Sequence, residues 1–205
     1  MNTGRNRLQK RIFLRAQREA IDASTIVHDL GLEPGKFFLV SAHREENVDA
    51  PERLSALLDC LDAVVNEFGL PVLVSTHPRT QKRVDAMGAK FHPLVRLLKP
   101  LGFKDYNKLQ LTAKAALSDS GTINEESSIM NFPALNLREA HERPEGMEEA
   151  AVMMVGLEAE RVMQALAILG SQPRGDSRSL RQVGDYSMPN VSDKVLRIIH
   201  SYTDY

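Results

Sequence analysis

Polar residues suited to chemistry are concentrated directly after four short apolar runs, in segments 43–47 (HREEN), 76–79 (THPR), 119–122 (DSGT) and 138–145 (REAHERPE). If the apolar runs are parallel strands, their carboxyl ends meet at one edge of a sheet, where open α/β sheets bind ligands. His43 then places a titratable imidazole beside the guanidinium of Arg44, which is suited to binding phosphate. These segments are therefore the candidate binding site.

The segment 118–122 leads straight into a predicted helix, so backbone N–H groups, hydroxyls and the positive helix end converge there. This arrangement favours an anion such as a diphosphate, and Arg143 would strengthen it if its loop lies alongside. The alternative is simple N-capping by Ser120, with Gly121 supplying a tight turn. Glu126, on the first turn, either stabilises the helix dipole or accepts hydrogen bonds from a ribose diol.

Other kinds of site are not favoured. No strand is followed by the G-x-G-x-x-G pattern of dinucleotide-binding proteins, which disfavours NAD and FAD. Cys60 falls on the apolar face of a predicted helix, where a thiol is usually buried and inert. We expect neither a metal nor a cofactor, since ligand spacing is absent among the candidate histidines, His43, His77, His92 and His141.

Charge and cysteine content narrow the choice of partners and compartment. The 205 residues carry 26 basic and 27 acidic side chains, a formal charge of -1, which gives no electrostatic footprint for nucleic acid or an anionic membrane. Only one cysteine is present, so an internal disulfide is impossible. No stretch approaches the ~20 apolar residues that span a bilayer. We expect a cytoplasmic protein with neither a nucleic-acid nor a membrane partner.

Short apolar runs alternate with stretches of helical periodicity along most of the chain. This alternation predicts an α/β fold, a Rossmann-like parallel sheet with helices on both faces. The predicted strands are 37–42, 71–76, 94–98, 115–118, 133–138 and 152–155. The predicted helices between and after them are 51–68, 78–87, 104–114, 121–131, 143–150 and 158–170.

Four segments are predicted along the chain. Residues 1–30 form a lead-in segment with a helix over 11–30, and 31–170 form the Rossmann-like domain. Residues 171–190 are a polar linker, and 191–205 carry a terminal amphipathic helix. We expect the apolar residues of that helix to be exposed if they normally cover a surface outside this chain.

Three segments in order, SAHREENVD (41–49), SDSGTINEE (118–126) and EAHERPEGMEEA (139–150), resemble the signatures of the non-hydrolysing UDP-N-acetylglucosamine 2-epimerases, and the similarity spans roughly residues 20–200. The resemblance implies a GT-B-like enzyme of two Rossmann-like domains, of which this chain is the C-terminal, UDP-binding half. Its ligands would be UDP and a UDP-N-acetylhexosamine. The family reaction is elimination of UDP to a glycal, then re-addition with inversion at C2.

The resemblance also implies roles for individual residues. His43 would be a catalytic residue that helps the departing UDP to carry its charge. The UDP-binding residues would be Arg44 beside it, Tyr106 near the uracil, Ser120 and Gly121 at the diphosphate, Glu126 at the ribose, and Arg143 at the phosphates or sugar. His77 and Thr122 would line the cleft.

The sequence departs from the family pattern at Thr122, where a second glycine is frequent, and at Asn124, where glutamine is frequent. The family's carboxylates for proton transfer at C2 belong to the N-terminal domain, so we expect this chain alone to bind UDP weakly and to catalyse little. It would need that domain or a partner chain, and a homo-oligomer is expected. The alternatives are a non-catalytic nucleotide-sugar-binding module and a fragment of a GT-B-like glycosyltransferase. The accepted sugar is UDP-N-acetylglucosamine or a 2-acetamido-2,6-dideoxy relative.

Overall fold

The computed structural model describes residues 17–140, 144–187 and 190–202. Its strands are β1 (Phe38–Ser41), β2 (Val72–Ser75), β3 (Val95–Leu98), β4 (Ala115–Ser118), β5 (Ala134–Asn136) and β6 (Met153–Met154). Within the described residues these strands form one sheet in the order β3-β2-β1-β4-β5-β6. Every neighbouring pair is parallel. The chain order therefore reverses at β1 and β4, which makes their carboxyl ends the place where such sheets bind ligands.

Helices connect the strands and continue to the end of the described chain. Those up to β4 are α1 (Arg18–Asp22), α2 (Ile26–Asp29), α3 (Glu45–Val48), α4 (Pro51–Phe68), α5 (Pro78–Ala86) and α6 (Phe103–Thr112). Those after β4 are α7 (Ile123–Met130), α8 (Pro144–Glu148), α9 (Ala159–Gly170), α10 (Gly184–Ser187) and α11 (Val191–Tyr202). None is long and apolar enough to cross a lipid bilayer within the described ranges.

Both faces of the sheet are covered, because successive strand residues point to opposite sides. In β1, Phe38 and Val40 contact the cluster that contains α4 and α9, whereas Leu39 contacts the cluster that contains α2 and α6. In β4, Ala116 lies in a third cluster with α1 and α7. The result is a three-layer α/β/α structure, and the predicted fold class is confirmed.

The lead-in region differs from the single helix predicted over 11–30. Residues 11–16 lie outside the described residues, and the rest forms two short helices, α1 and α2, separated by residues 23–25. The Ser24 hydroxyl donates to Asp105 at 2.6 Å and accepts from the Ile26 N–H, while Thr25 bonds Asp29. These side-chain bonds replace helical backbone bonds, which explains the break.

The polar segment predicted as a linker over 171–190 contains the short helix α10. Val183 and Tyr186 are buried there, and the Val183 N–H donates to the Ser128 hydroxyl at 3.0 Å. Two arginines tie the segment to the domain: Arg174 donates to the carbonyls of Leu111 and Ala113, and Arg178 to those of Ser128 and Ile129. Composition indicated the polarity of this segment but not these contacts.

The terminal helix predicted within 191–205 is present as α11, and none of its residues is buried. Val195, Leu196 and Ile198 are each about half exposed, at 48%, 54% and 54%. This exposure agrees with the expectation for a helix whose apolar residues are not covered within the chain.

Candidate functional site

A pocket of about 310 Å³ opens at the carboxyl ends of β1, β2 and β4. Six of the residues selected from the sequence line it: His43, His77, Tyr106, Ser120, Thr122 and Glu126. Four further lining residues that matter for its shape are Ser41, Ser75, Ser118 and Leu101. Three of the four predicted strand-end segments therefore meet at this pocket, whereas none of the described residues of the fourth, 138–140 and 144–145, is among its lining residues.

The floor of the pocket is a row of serines that sequence reasoning overlooked. Ser41, Ser75 and Ser118 each end a strand and occupy the same register across three adjacent parallel strands. All three are buried, yet all three line the pocket. The signal was present in the sequence, since the strands FLVS, VLVS and AALS all end in serine.

His43 and Arg44 follow β1, and their backbone N–H groups are held by a buried carboxylate. The carboxylate of Asp119, which is 0% exposed, accepts the N–H groups of His43 and Arg44 at 3.1 Å and 2.9 Å. The His43 ring lies 2.6 Å from the Ser41 hydroxyl through its Nε2. The Arg44 side chain is directed toward Glu46, with 3.5 Å between the charged groups. His43 thus lines the pocket, whereas Arg44, a predicted UDP-binding residue, is not among the lining residues.

A buried amide joins this loop to its neighbours. Asn47 donates through its Nδ2 to Asp119 at 3.1 Å and to the Leu137 carbonyl at 3.4 Å. Its Oδ1 accepts from Arg53, which also forms an ion pair with Glu139. Asn47 therefore connects the segments that follow β1, β4 and β5, three of the four predicted polar segments.

The 118–122 segment makes local bonds of its own. The Ser120 hydroxyl accepts from the Thr122 N–H at 3.3 Å and lies 3.0 Å from the Thr122 hydroxyl. Because Thr122 gives its only hydroxyl hydrogen to Glu126, the Ser120 hydroxyl must be the donor to Thr122. Ser120 therefore both shapes the turn before α7 and lines the pocket. The N-cap of α7 is Thr122 rather than Ser120, and no side chain of the described residues caps the helix, which differs from the capping alternative.

The buried side of the pocket is acidic and aromatic. Glu126 is 8% exposed and accepts from Gln110 at 2.7 Å and from Thr122 at 3.0 Å. Burial raises the pKa of the Tyr106 phenol above its ordinary range, and the charges of Glu126 and Asp119 add to this, although a hydrogen bond with Ser41 opposes it. Tyr106 therefore stays protonated at neutral pH and can act as a hydrogen-bond donor.

The remaining expectations from the sequence concern Arg143, Gly121, Cys60 and a metal site. Arg143 lies outside the described residues, as do its neighbours 141–142. Gly121 lies between the pocket-lining residues Ser120 and Thr122. Burial raises the pKa of the Cys60 thiol to about 11, which leaves little thiolate at neutral pH. Among the described residues no group of three or more His, Cys, Asp or Glu side chains is arranged to hold a metal ion.

Comparison with known proteins gives a consistent set of relatives. Residues 1–200 match the family model described as UDP-N-acetylglucosamine 2-epimerase. The curated UDP-N-acetylglucosamine 2-epimerase of Methanocaldococcus jannaschii is 32% identical over 142 residues, which are 67% of this chain and 39% of that protein.

Two solved structures extend this similarity to the fold. UDP-N-acetylglucosamine 2-epimerase from Rickettsia bellii has a TM-score of 0.79 and 40% identity, over 94% of this chain and 51% of that chain. The M. jannaschii enzyme in complex with UDP-GlcNAc and UDP has a TM-score of 0.74 and 25% identity, over 89% of this chain and 50% of that chain. The chain thus spans about half the length of these solved relatives, and it has the fold of one half of such a GT-B-like protein.

Proposed function

The chain belongs to the UDP-N-acetylglucosamine 2-epimerase family, and we propose that it supplies the UDP-binding half of such an enzyme. The observation that carries the proposal is the pocket at the carboxyl ends of β1, β2 and β4, which is lined by six of the residues selected from the sequence. A relative of the same fold has been solved in complex with UDP-GlcNAc and UDP. The proposed ligand of this pocket is therefore UDP, alone or as part of a nucleotide sugar.

The nucleoside is proposed to contact the buried side of the pocket. The Glu126 carboxylate accepts hydrogen bonds from the ribose hydroxyls, since a carboxylate offers about four acceptor sites on two oxygens. Tyr106 and Leu101, which line the same pocket, provide apolar surface for the uracil ring. This assignment is supported by the low exposure of Glu126, because a buried carboxylate discriminates well between ligands with and without a hydroxyl.

The diphosphate is proposed to lie against the turn before α7. Ser120 and Gly121 are placed where the backbone enters that helix, and Arg44 and Arg143 supply the positive charge that a diphosphate requires. The Ser120 hydroxyl donates to Thr122 in this structure. Its hydrogen must therefore rotate toward the phosphate if Ser120 is to act as a donor.

The proposed chemistry is elimination and re-addition of UDP. The C1–O bond breaks, the proton leaves C2, and a glycal and UDP form; UDP then returns to C1 while C2 receives a proton on the opposite face. His43, which lines the pocket, stabilises the charge that develops on the departing UDP. The C2 proton-transfer groups are proposed to come from an N-terminal domain or partner chain, because the chain spans only about half of its solved relatives.

The substrate is proposed to be UDP-N-acetylglucosamine or a 2-acetamido-2,6-dideoxy relative, with a homo-oligomer as the assembled form. We assign the UDP site to residues 31–170, with 171–190 as a connection to the terminal segment 191–205. A non-catalytic binding module is not favoured, since the matched relatives carry the epimerase name.

Calorimetric titration of the chain with UDP and with UDP-N-acetylglucosamine tests the binding site. We expect a Kd for UDP between about 1 mM and 1 μM, weakened at least tenfold in Glu126→Gln and Arg143→Ala. Glu160→Gln is the matched control, because Glu160 is an exposed acid on the first turn of another helix, α9. Absence of UDP binding, or equal loss in the control, would overturn the proposed site.

A separate measurement tests the division of chemistry. In D₂O the chain alone is expected to leave the C2 hydrogen of UDP-N-acetylglucosamine unexchanged, as followed by proton NMR. Exchange by the chain alone would show that it already contains the groups that remove the C2 proton.

A further inference from the structure

The carboxylate of Glu126 is held at both of its oxygens by two different elements. Gln110, on α6, donates from Nε2 to Oε2 at 2.7 Å. Thr122, in the turn before α7, donates from Oγ1 to Oε1 at 3.0 Å. Two donors on separate oxygens define the plane of a carboxylate, because rotation about its terminal bond would lengthen both hydrogen bonds.

Gln110 is an unusual residue for its position. It is 1% exposed, and its Oε1 has no hydrogen-bond partner among the described residues. A buried amide oxygen without a partner costs free energy that an apolar side chain of similar size would avoid. Its amide must present the NH₂ group to Glu126, since the amide oxygen and the carboxylate oxygen are both acceptors and cannot bond each other. The hydrogen bond to Glu126 is thus the interaction that accounts for a glutamine here.

Thr122 connects the same carboxylate to Ser120. Its hydroxyl accepts from Ser120 and donates to Glu126, so the three side chains form one continuous line of hydrogen bonds. All three of them line the pocket. The orientation of Glu126 is therefore coupled to the segment proposed to hold the diphosphate.

We infer that Gln110 and Thr122 are positioning residues that orient the Glu126 carboxylate to recognise the ribose hydroxyls of a uridine nucleotide. The inference rests on the proposed function, because it takes UDP as the ligand. A carboxylate with about four acceptor sites can accept from two protein donors and from ligand hydroxyls together. Because the plane of the carboxylate is already fixed, Glu126 does not have to be ordered on binding, and the affinity for a ribose over a deoxyribose is increased.

The test compares the affinities of UDP and 2′-deoxy-UDP for the full 205-residue chain by calorimetry. The measured quantity is the ratio of the two affinities, which a general loss of stability does not change. Gln110→Leu and Thr122→Val each remove one donor with little change of size, and each is expected to lower the ratio by about threefold to tenfold. Glu126→Ala provides the reference in which the ratio approaches one.

Two matched controls separate positioning from packing. Asn107 lies one turn before Gln110 on α6, is also buried, and donates to the Phe103 carbonyl. Asn107→Leu is therefore expected to alter thermal stability while leaving the ratio unchanged. Thr122→Ser keeps the hydroxyl and is expected to keep the ratio of the unmodified chain, which Thr122→Val loses.

The outcomes distinguish the inference from the proposed function. If the chain binds UDP and Glu126→Ala abolishes the preference for ribose, but Gln110→Leu and Thr122→Val keep it, positioning by these two residues is wrong and the proposed site stands. Binding of UDP without any preference over 2′-deoxy-UDP would also overturn the inference. Failure of the unmodified chain to bind UDP would overturn both.

Discussion

Asp119 is a wholly buried carboxylate whose described hydrogen bonds all come from the segment that follows β1. It accepts from the backbone N–H groups of His43 and Arg44 and from the Asn47 amide. Its charge is thereby matched by three donors rather than by a cation. The position of His43 in the pocket therefore depends on a residue from the end of a different strand, β4.

Replacement of this carboxylate is the prediction at the residue scale. Asp119→Asn keeps the shape but turns an NH₂ group or a weaker acceptor toward the two N–H groups. We expect a loss of about 3 kcal/mol in the free energy of unfolding, measured by urea denaturation, together with weaker UDP binding. Asp59→Asn, an exposed position on α4, should change stability by less than about 0.5 kcal/mol. Equal stability of the two variants would contradict a structural role for Asp119.

Sequence reasoning found the residues of this site better than it found their supports. His43, Ser120 and Glu126 follow strand ends or open a helix, positions that periodicity can locate. Gln110 could not be identified in that way, and Asn47 lay in the selected segment 43–47 without its contacts being predicted, since their partners are 16 and 72 residues away along the chain. Such pairings are set by tertiary contacts, which residue spacing does not encode.

The two ends of α4 are marked by local sequence signals. α4 begins with Pro51 at its first turn and ends before Gly69, which has a left-handed φ of 60° and whose N–H donates to the Val65 carbonyl. Both are standard signals for a start and a stop, which is why its predicted bounds of 51–68 agree with the structure. Its buried side carries Leu54, Leu57 and Leu61 to the central sheet.

A glycine pair tests the stop signal of α4. Gly69→Ala places a side chain on a left-handed residue and should lower the free energy of unfolding by about 1 kcal/mol. Gly170, the last residue of α9, has open space around the position of an added Cβ. Because alanine favours the helix, Gly170→Ala is expected to be neutral or mildly stabilising. Thermal denaturation of both variants measures the two effects. A destabilised Gly170→Ala, or an unaffected Gly69→Ala, would contradict the assigned geometry.

Where element predictions differed from the structure, side-chain bonds decided the outcome. The predicted lead-in helix is broken where Ser24 bonds Asp105 on α6. The short helix α3 appears in a segment predicted only as polar, with Asn47 buried within it. In each case a polar side chain contacts another element, and that contact determines the backbone locally.

At the scale of the whole molecule, the central sheet and the terminal helix α11 differ in how far their apolar side chains are buried. The central sheet is buried on both faces, and its carboxyl edge brings together residues from three strand-end segments. By contrast, α11 has no buried residue although apolar side chains recur along it. Stability and UDP binding should therefore reside in the layered domain and be independent of α11.

This separation gives the last prediction. The double variant Val195→Lys with Ile198→Lys changes side chains that are about half exposed. Its melting temperature should match that of the unmodified chain, and its free energy of unfolding should change by less than about 0.5 kcal/mol. Val162→Ala, at a position on α9 that is 0% exposed, should instead cost about 2 kcal/mol through loss of packing. Thermal denaturation at low protein concentration measures both. A large loss in the lysine variant would mean that α11 supports the domain, and UDP binding unchanged in that variant would place the ligand site away from α11.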